Sequence, residues 1–481
     1  MEIFAAGRLS VPVARVSAGN PGEWLAGGPL EGAESPCDWL DTSAQNGCLD
    51  AQRCRLRATA EHSHDIPVDG FKESLYSFIW FRIVTQHGAP SCGRGRNNGK
   101  ETSMSQDLHA PATNSPNQAS YTRDEIFAQA RLWPGTVRTI VDEVGRLGLA
   151  DRLAGARVVL TGAGTSAYAA EAVAAAWPRA RAVPTTDLLV DAKRSLDEAD
   201  LLISLARSGD SPESAAVVHV ARALRPDLLQ LAIVCNAHGA LAQSEVDHVL
   251  KLDPQTDDHS LVMTGSYSNL VLAGLVLARP EETARDVDAL AARTESLLSE
   301  LNEASLQAAR RVVDRVVVLS SSPLAGWRQE AALKILEMTA GTFPVMAESY
   351  LGLRHGPMVF VTPSTLVLCI LSNDPLRRAY ELDLIQELRD KRIGYLAGIA
   401  NFDDAANYFD AVFPAVAPRM DDALRTPYEI VSAQLLGYNL STLSGLNPDN
   451  PSPDGIINRV VQGVKIHGID GQAPVTANRH S

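Results

Sequence analysis

Residues 157–177 read RVVLTGAGTSAYAAEAVAAAW. An apolar run over 157–161 has the length and β-branched composition of a buried strand. Gly162 to Ser166 then form a glycine- and hydroxyl-rich turn, and 167–177 is alanine-rich and helical in composition. The rhythm continues outward. Strands are expected at 182–185, 201–205, 229–234 and 246–250, with a helix at 211–223. Strands that alternate with helices imply βαβ units and a parallel sheet covered on both faces. The pattern then restarts, because RVVVLS at 315–320 echoes 157–161. A helix at 327–339 follows, then strands at 365–371, 393–399 and 410–416 and a long helix at 427–443. The expected fold class is therefore α/β, with an internal duplication into two doubly wound parallel sheets. The expected domains are 121–295 and 296–481. Ahead of the first sheet, Thr122-Arg-Asp-Glu125 has the capping-box pattern and opens a helix through Trp133. Pro134 suits the first turn of a second helix ending near Arg146.

Residues 1–103 read differently. They carry no sustained period, apart from a short apolar run at 75–84, and include the Gly-, Asn- and Arg-rich segment CGRGRNNGK at 92–100. Met104 is a second candidate start, and codons for Lys100-Glu101 can spell a ribosome-binding site just before it. The expectation is that 1–103 are translated upstream sequence; a disordered extension is the alternative. Residues 104–120 read as a flexible leader. Four of the six cysteines, Cys37, Cys48, Cys54 and Cys92, lie in the early region without CxxC spacing. Cys235 and Cys369 accompany apolar strand-like runs and are expected to be buried thiols of a cytoplasmic protein. A net charge of −14 over 481 residues argues against nucleic acid as partner, and no apolar run has membrane-spanning length. The histidines show no metal-ligand spacing, so neither metal nor other cofactor is expected.

The chemistry concentrates in three places. Gly164, Thr165 and Ser166 sit between a strand and a helix, and Ser208, Gly209 and Ser211 of SLARSGDSPES sit at another such junction. Hydroxyls and backbone N–H groups at helix N-termini suit a phosphate, and the missing last glycine of GxGxxG disfavours a dinucleotide. Ser211 followed by Pro212 also fits a plain helix cap. Both turns lie at the carboxyl edge of the sheet, where ligands bind in such folds. The third place is 330–357, EAALKILEMTAGTFPVMAESYLGLRHGP. Glu330, Lys334 and Glu337 share one helical stripe on an otherwise apolar helix, and His355 follows on a turn. Buried charges need partners or a chemical task, so this stripe reads either as proton-transfer equipment or as a structural ion pair.

GAGTSA, SLARSGDSPES, DDHSLVMTGSYSNL, EAALKILEMTAG, AESYLGLRHGP and NRVVQGVKI, in this order, resemble the sugar isomerase (SIS) family. AESYLGLRHGP and NPDNPSPDGIINRVVQGV resemble its AgaS-type branch, whose members deaminate or isomerise sugar phosphates. The resemblance covers about 121–466. It implies two tandem SIS domains, an open-chain sugar phosphate as the small-molecule partner, and a homodimer. It implies phosphate contacts from Ser166, Ser208 and Ser211, with Gly164, Thr165, Thr264 and Ser266 as further binding candidates. By the same resemblance Glu337 shuttles a proton between C1 and C2. His355 opens the sugar ring, in many members across a dimer interface, and Glu330 and Lys334 support Glu337. Glu348 is a candidate hydroxyl or amine contact. Asn458 and Gln462 either bond sugar hydroxyls or anchor the tail. The related glucosamine-6-phosphate synthase carries a Schiff-base lysine where this chain has Val461, and Lys465 lies beyond that position. Amidotransfer is therefore disfavoured against ammonia release or simple isomerisation. A phosphosugar sensor without catalysis is the remaining alternative; the intact carboxylate helix and the lack of an evident helix-turn-helix speak against it.

Overall fold

The computed structural model describes residues 120–403 and 405–468. Ten strands form two five-stranded sheets, and every pairing is parallel. The first sheet holds β1 (Val158–Thr161), β2 (Ala180–Ala182), β3 (Leu201–Ala206), β4 (Leu229–Val234) and β5 (His248–Lys251) in the order β2-β1-β3-β4-β5. The second holds β6 (Arg315–Leu319), β7 (Val345–Glu348), β8 (Thr365–Ile370), β9 (Tyr395–Ala400) and β10 (Ala411–Pro414), in the order β7-β6-β8-β9-β10. Each half thus repeats the order 2-1-3-4-5. The duplication expected from RVVLT and RVVVLS is a repeat of topology. β1, β3, β4 and β8 are buried at every position, as continuous Val, Ile and Leu runs require when helices cover both faces.

The helices are α1 (Tyr121–Leu147), α2 (Ala150–Leu153), α3 (Thr165–Ala176), α4 (Thr185–Val190), α5 (Ala192–Ser195), α6 (Pro212–Leu224), α7 (Gly265–Ala278), α8 (Pro280–Ala309), α9 (Ala325–Met338), α10 (Tyr350–Leu353), α11 (Pro375–Lys391) and α12 (Asp422–Leu443). Helices α1, α3, α7, α8, α9 and α12 pack between the sheets, and one apolar core runs through them from both halves. Smaller clusters close the outer faces under α4–α6 and under α10–α11. Gly326 fixes the closest approach of the halves. A Cβ there would lie 2.6 Å from Ala172 N and 2.7 Å from the Tyr168 carbonyl of α3. That contact brings α9 against the helix that follows the turn at 162–164.

Some local expectations are corrected. The segment 121–147 is one helix, with Pro134 inside it. Proline removes one hydrogen bond, but Trp133, Val137 and Ile140 are buried in the core, and tertiary packing carries the helix across the defect. Its cap is Ser120, which accepts from Arg123 N; Glu125 reaches instead to the backbone of His259 and Ser260. β2 ends at Ala182, and Thr185 already begins α4. The expected boundary at 295/296 falls within the continuous α8. Cys235 and Cys369 are buried free thiols whose pKa burial pushes well up. Among the described residues no helix is long and apolar enough to cross a membrane. The expectations for 1–103, and the leader reading for 104–119, lie outside the described residues.

Candidate functional site

In each 2-1-3-4-5 sheet the chain reverses direction of growth between its first and third strands, and a crevice opens there at the carboxyl ends. In the first sheet this is the gap between β1 and β3. The turn after β1 is forced tight: a Cβ on Gly162 would sit 2.5 Å from the Ser166 carbonyl carbon. Thr165 and Ser166 consequently start α3 in the crevice, and both are buried. After β3, Ser208 Oγ accepts from Asp210 N at 3.2 Å. Ser211 occupies the cap position of α6 but its side chain caps no backbone N–H; its hydroxyl lies 2.7 Å from that of Ser214.

These turns line a cavity of about 250 Å³ that also receives Glu337 from α9 and residues 457–461 from the C-terminal segment. Leu261 and Met263 supply an apolar wall. Of the expected site residues, Gly164, Thr165, Ser166, Ser208, Ser211, Glu337 and Asn458 meet here, although they come from four separate parts of the chain. Val461 lines the cavity as well, so the position held by lysine in the synthase faces the site with an apolar side chain.

The charged stripe of α9 is graded by depth. Glu330 and Lys334 are fully buried, whereas the side chain of Glu337 is 23% exposed toward the cavity. Lys334 Nζ donates to Glu337 in a short hydrogen bond and lies 3.6 Å from Glu330 Oε1. Neither Glu330 oxygen has a hydrogen-bond partner. Burial pushes the Glu330 carboxyl up to about 8; Lys334 opposes this and the charge of Glu337 adds to it. Burial disfavours the Lys334 ammonium, but the two carboxylates outweigh it and raise its pKa.

The remaining candidates sit elsewhere. Thr264 and Ser266 do not line the cavity. They are fully buried at the start of α7, where Asp258 accepts from Thr264 N at 2.8 Å and from the Ser266 hydroxyl at 2.5 Å. Here Asp258 caps the start of α7 through these groups. Glu348 ends β7 and accepts from Ser349 N and Oγ at 2.7 and 3.1 Å, away from the cavity. His355 is exposed just after α10 and does not line the cavity of its own chain. Gln462 and Lys465 are exposed on the C-terminal segment. Arg207 and Arg459 line the cavity and were not singled out from sequence. A lone arginine ordinarily reads as surface; its place inside a hydroxyl-rich turn was the available signal. Among the described residues no group of three or more His, Cys, Asp or Glu could hold a metal.

No protein-family model matches the chain. Individual proteins do. A Streptomyces coelicolor protein provisionally named D-galactosamine-6-phosphate deaminase AgaS is 38% identical over 330 residues, which cover 65% of this chain and 86% of that one. The D-galactosamine-6-phosphate deaminase AgaS of a Shewanella species is 35% identical over 371 residues, 73% of this chain and 92% of that one. The crystal structure of tagatose-6-phosphate ketose/aldose isomerase from Escherichia coli superposes with a TM-score of 0.65 at 32% identity, covering 75% of this chain and 99% of that one. With the tandem parallel sheets and the order of motifs around one cavity, these similarities make the chain a member of the AgaS family of sugar isomerase (SIS) proteins.

Proposed function

We propose that the protein is an amino-sugar-phosphate deaminase that converts D-galactosamine 6-phosphate, or a related hexosamine 6-phosphate, to the ketose 6-phosphate and ammonia. The observation that carries this reading is the meeting of Glu337 with both hydroxyl-rich turns in one cavity. The turns suit the 6-phosphate through Ser166, Ser208 and Ser211. The open-chain sugar then extends toward α9. Glu337 removes the C2 proton while the C1 carbonyl oxygen gains one, which gives an enolamine. Return of the proton to C1 yields a C2 iminium; water adds to C2, and ammonia leaves. One carboxylate serves both carbons because they lie on one face of a planar intermediate. Lys334 holds Glu337 in place. Asn458 is suited to a sugar hydroxyl.

His355 serves ring opening from a second copy of the chain in this reading, since it is exposed and outside its own cavity. The protein is then a cytoplasmic homodimer. Mixing inactive Glu337→Gln and His355→Ala subunits restores activity if the two groups act across an interface; a mixture as inactive as its parents contradicts this. Domains bounded near 121–295 and 296–481 remain the reading of the duplication, with α8 continuous across the boundary.

A second reading, aldose–ketose isomerisation without deamination, draws on the tagatose-6-phosphate isomerase name of the Escherichia coli structure. Ammonia release from galactosamine 6-phosphate and from glucosamine 6-phosphate decides between them. Ammonia in step with ketose supports the deaminase; ketose formed only from an aldose phosphate, without ammonia, supports the isomerase.

A further inference from the structure

Two arginines beside the cavity have no part in the proton transfers. Arg207 follows β3 and begins the second phosphate turn, and it is only 5% exposed. A buried guanidinium needs acceptors, and here they are backbone carbonyls. Nη1 donates to Ser260 O at 3.2 Å and to Leu261 O at 3.1 Å, and Nη2 donates to Arg459 O at 3.0 Å. Arg459 in turn donates from Nε and Nη2 to Asp258 O at 3.2 and 2.6 Å, and from Nη2 to Asp257 Oδ1 at 2.6 Å.

The pair ties together three segments: the turn after β3, the loop 257–261, and the C-terminal strap 455–468. The loop is a firm anchor. Glu125 of α1 accepts from His259 N, Ser260 N and Ser260 Oγ, and Asp258 accepts from the first N–H groups of α7. The strap is the opposite. It contains no helix or strand and is largely exposed, yet 457–461 form one wall of the cavity. Ile457 N and Asn458 bond only within 452–458. Among the described residues, the hydrogen bonds that join 455–468 to the body of the protein all pass through Arg459, by its guanidinium or its carbonyl.

We propose that Arg207 and Arg459 are positioning residues that latch this strap over the sugar-phosphate site. The proposal rests on the function above for its kinetic consequence, but the latch itself is a property of the free protein. Without it, the wall carrying Asn458 and Val461 is held by little else, and the cavity opens to water. The expected defect is therefore in substrate retention and not in the proton transfers at Glu337.

Hydrogen–deuterium exchange of the full chain tests the latch without any ligand, in wild type, Arg459→Gln and Arg207→Lys. Arg459 lies on the strap, so its replacement leaves the core intact. Arg207→Lys keeps the charge but loses the planar fork that reaches three carbonyls. Strap amides 457–464 are expected to exchange about tenfold faster in both variants, with β3 and α3 unchanged, as loss of several charge-assisted hydrogen bonds requires. The KM for galactosamine 6-phosphate should rise about tenfold, with kcat within about threefold of wild type. Strap exchange at the wild-type rate in both variants overturns the latch. So does an unchanged KM in a variant whose strap exchanges faster. If wild type releases no ammonia, the functional reading fails, and the exchange measurement alone decides the latch.

Discussion

The two sheets share a topology and differ at the crevice. In the first half, the gap between β1 and β3 presents hydroxyls and helix N-termini to a cavity. In the second half, the equivalent gap between β6 and β8 is filled by the protein's own anions. Glu381 accepts from Ser372 N at 2.7 Å and Asp422 from Asn373 N at 2.9 Å, the places where a phosphate would sit in the first half. Arg377 and Arg425 neutralise Asp422 at 2.8 and 2.9 Å. The helix after the first strand differs in the same sense. α3 carries Thr165 and Ser166 at its N-terminus, whereas α9 carries Glu330, Lys334 and Glu337 in its second half. Duplication thus supplied one scaffold twice. One copy keeps an open cavity at its hydroxyl-rich turns; the other fills the equivalent place with its own carboxylates and contributes α9.

The sharpest way to break this division is at α9. Glu337→Gln should lower kcat for ammonia release by about 10³-fold, the scale of a lost general base, with KM changed less than about threefold. A large KM effect with kcat retained would make Glu337 a binding residue and erase the division of labour. Next comes the filled crevice. Asp422→Ala leaves the buried Arg425 with one carboxylate, Glu429 at 3.3 Å, and the Leu371 carbonyl at 2.8 Å, and should cost about 3 kcal/mol in denaturant unfolding while leaving KM near wild type. A raised KM without lost stability would mean that the second crevice takes part in binding. A smaller effect is expected at the open cavity: Ser208→Ala should raise KM about tenfold through one lost charge-assisted hydrogen bond. The smallest concerns depth along the stripe. A Glu330 pKa near 8 means that the folded protein keeps a proton the unfolded chain releases above about 4.5, so stability falls as pH rises through this window. Glu330→Gln is neutral throughout. Its melting temperature relative to wild type should therefore improve by about 2 °C between pH 5.5 and 8.5. A difference independent of pH would show that Glu330 is ionised in the fold.

How much of this was legible follows from the same contrast. Central strands such as β3 and β4 were readable because burial on both faces demands unbroken apolar runs. Two of the edge strands were not: β2 is ARA and β7 is VMAE, neither fully buried, and neither composition resolves a strand from a loop. Helix α8 escaped because it is polar over much of its length and crosses the duplication boundary, where a linker is the natural expectation. Pro134 was read as a helix start, since the core that carries α1 past it is tertiary. The hydroxyl-rich turns and the α9 stripe were legible because hydroxyls after glycine and charges at helical spacing are local patterns. Arg207 and Arg459 were not, because they meet only after residues 252 positions apart come together. The bonds that tie Thr264 and Ser266 to Asp258 were not legible either, because nothing in the local pattern names Asp258 as their acceptor.

The central claim is that the first-half turns and Glu337 act on one substrate in one cavity. The most direct test is a cycle that removes the phosphate from the substrate and the hydroxyls from the protein. Ammonia release is measured with galactosamine 6-phosphate and with galactosamine, in wild type and in Ser166→Ala/Ser208→Ala. The account predicts that the phosphate raises kcat/KM by about 10³-fold or more in wild type and by at least about tenfold less in the variant, while the activity on galactosamine itself hardly changes. An equal advantage of the phosphate in both proteins would place it elsewhere and contradict the account.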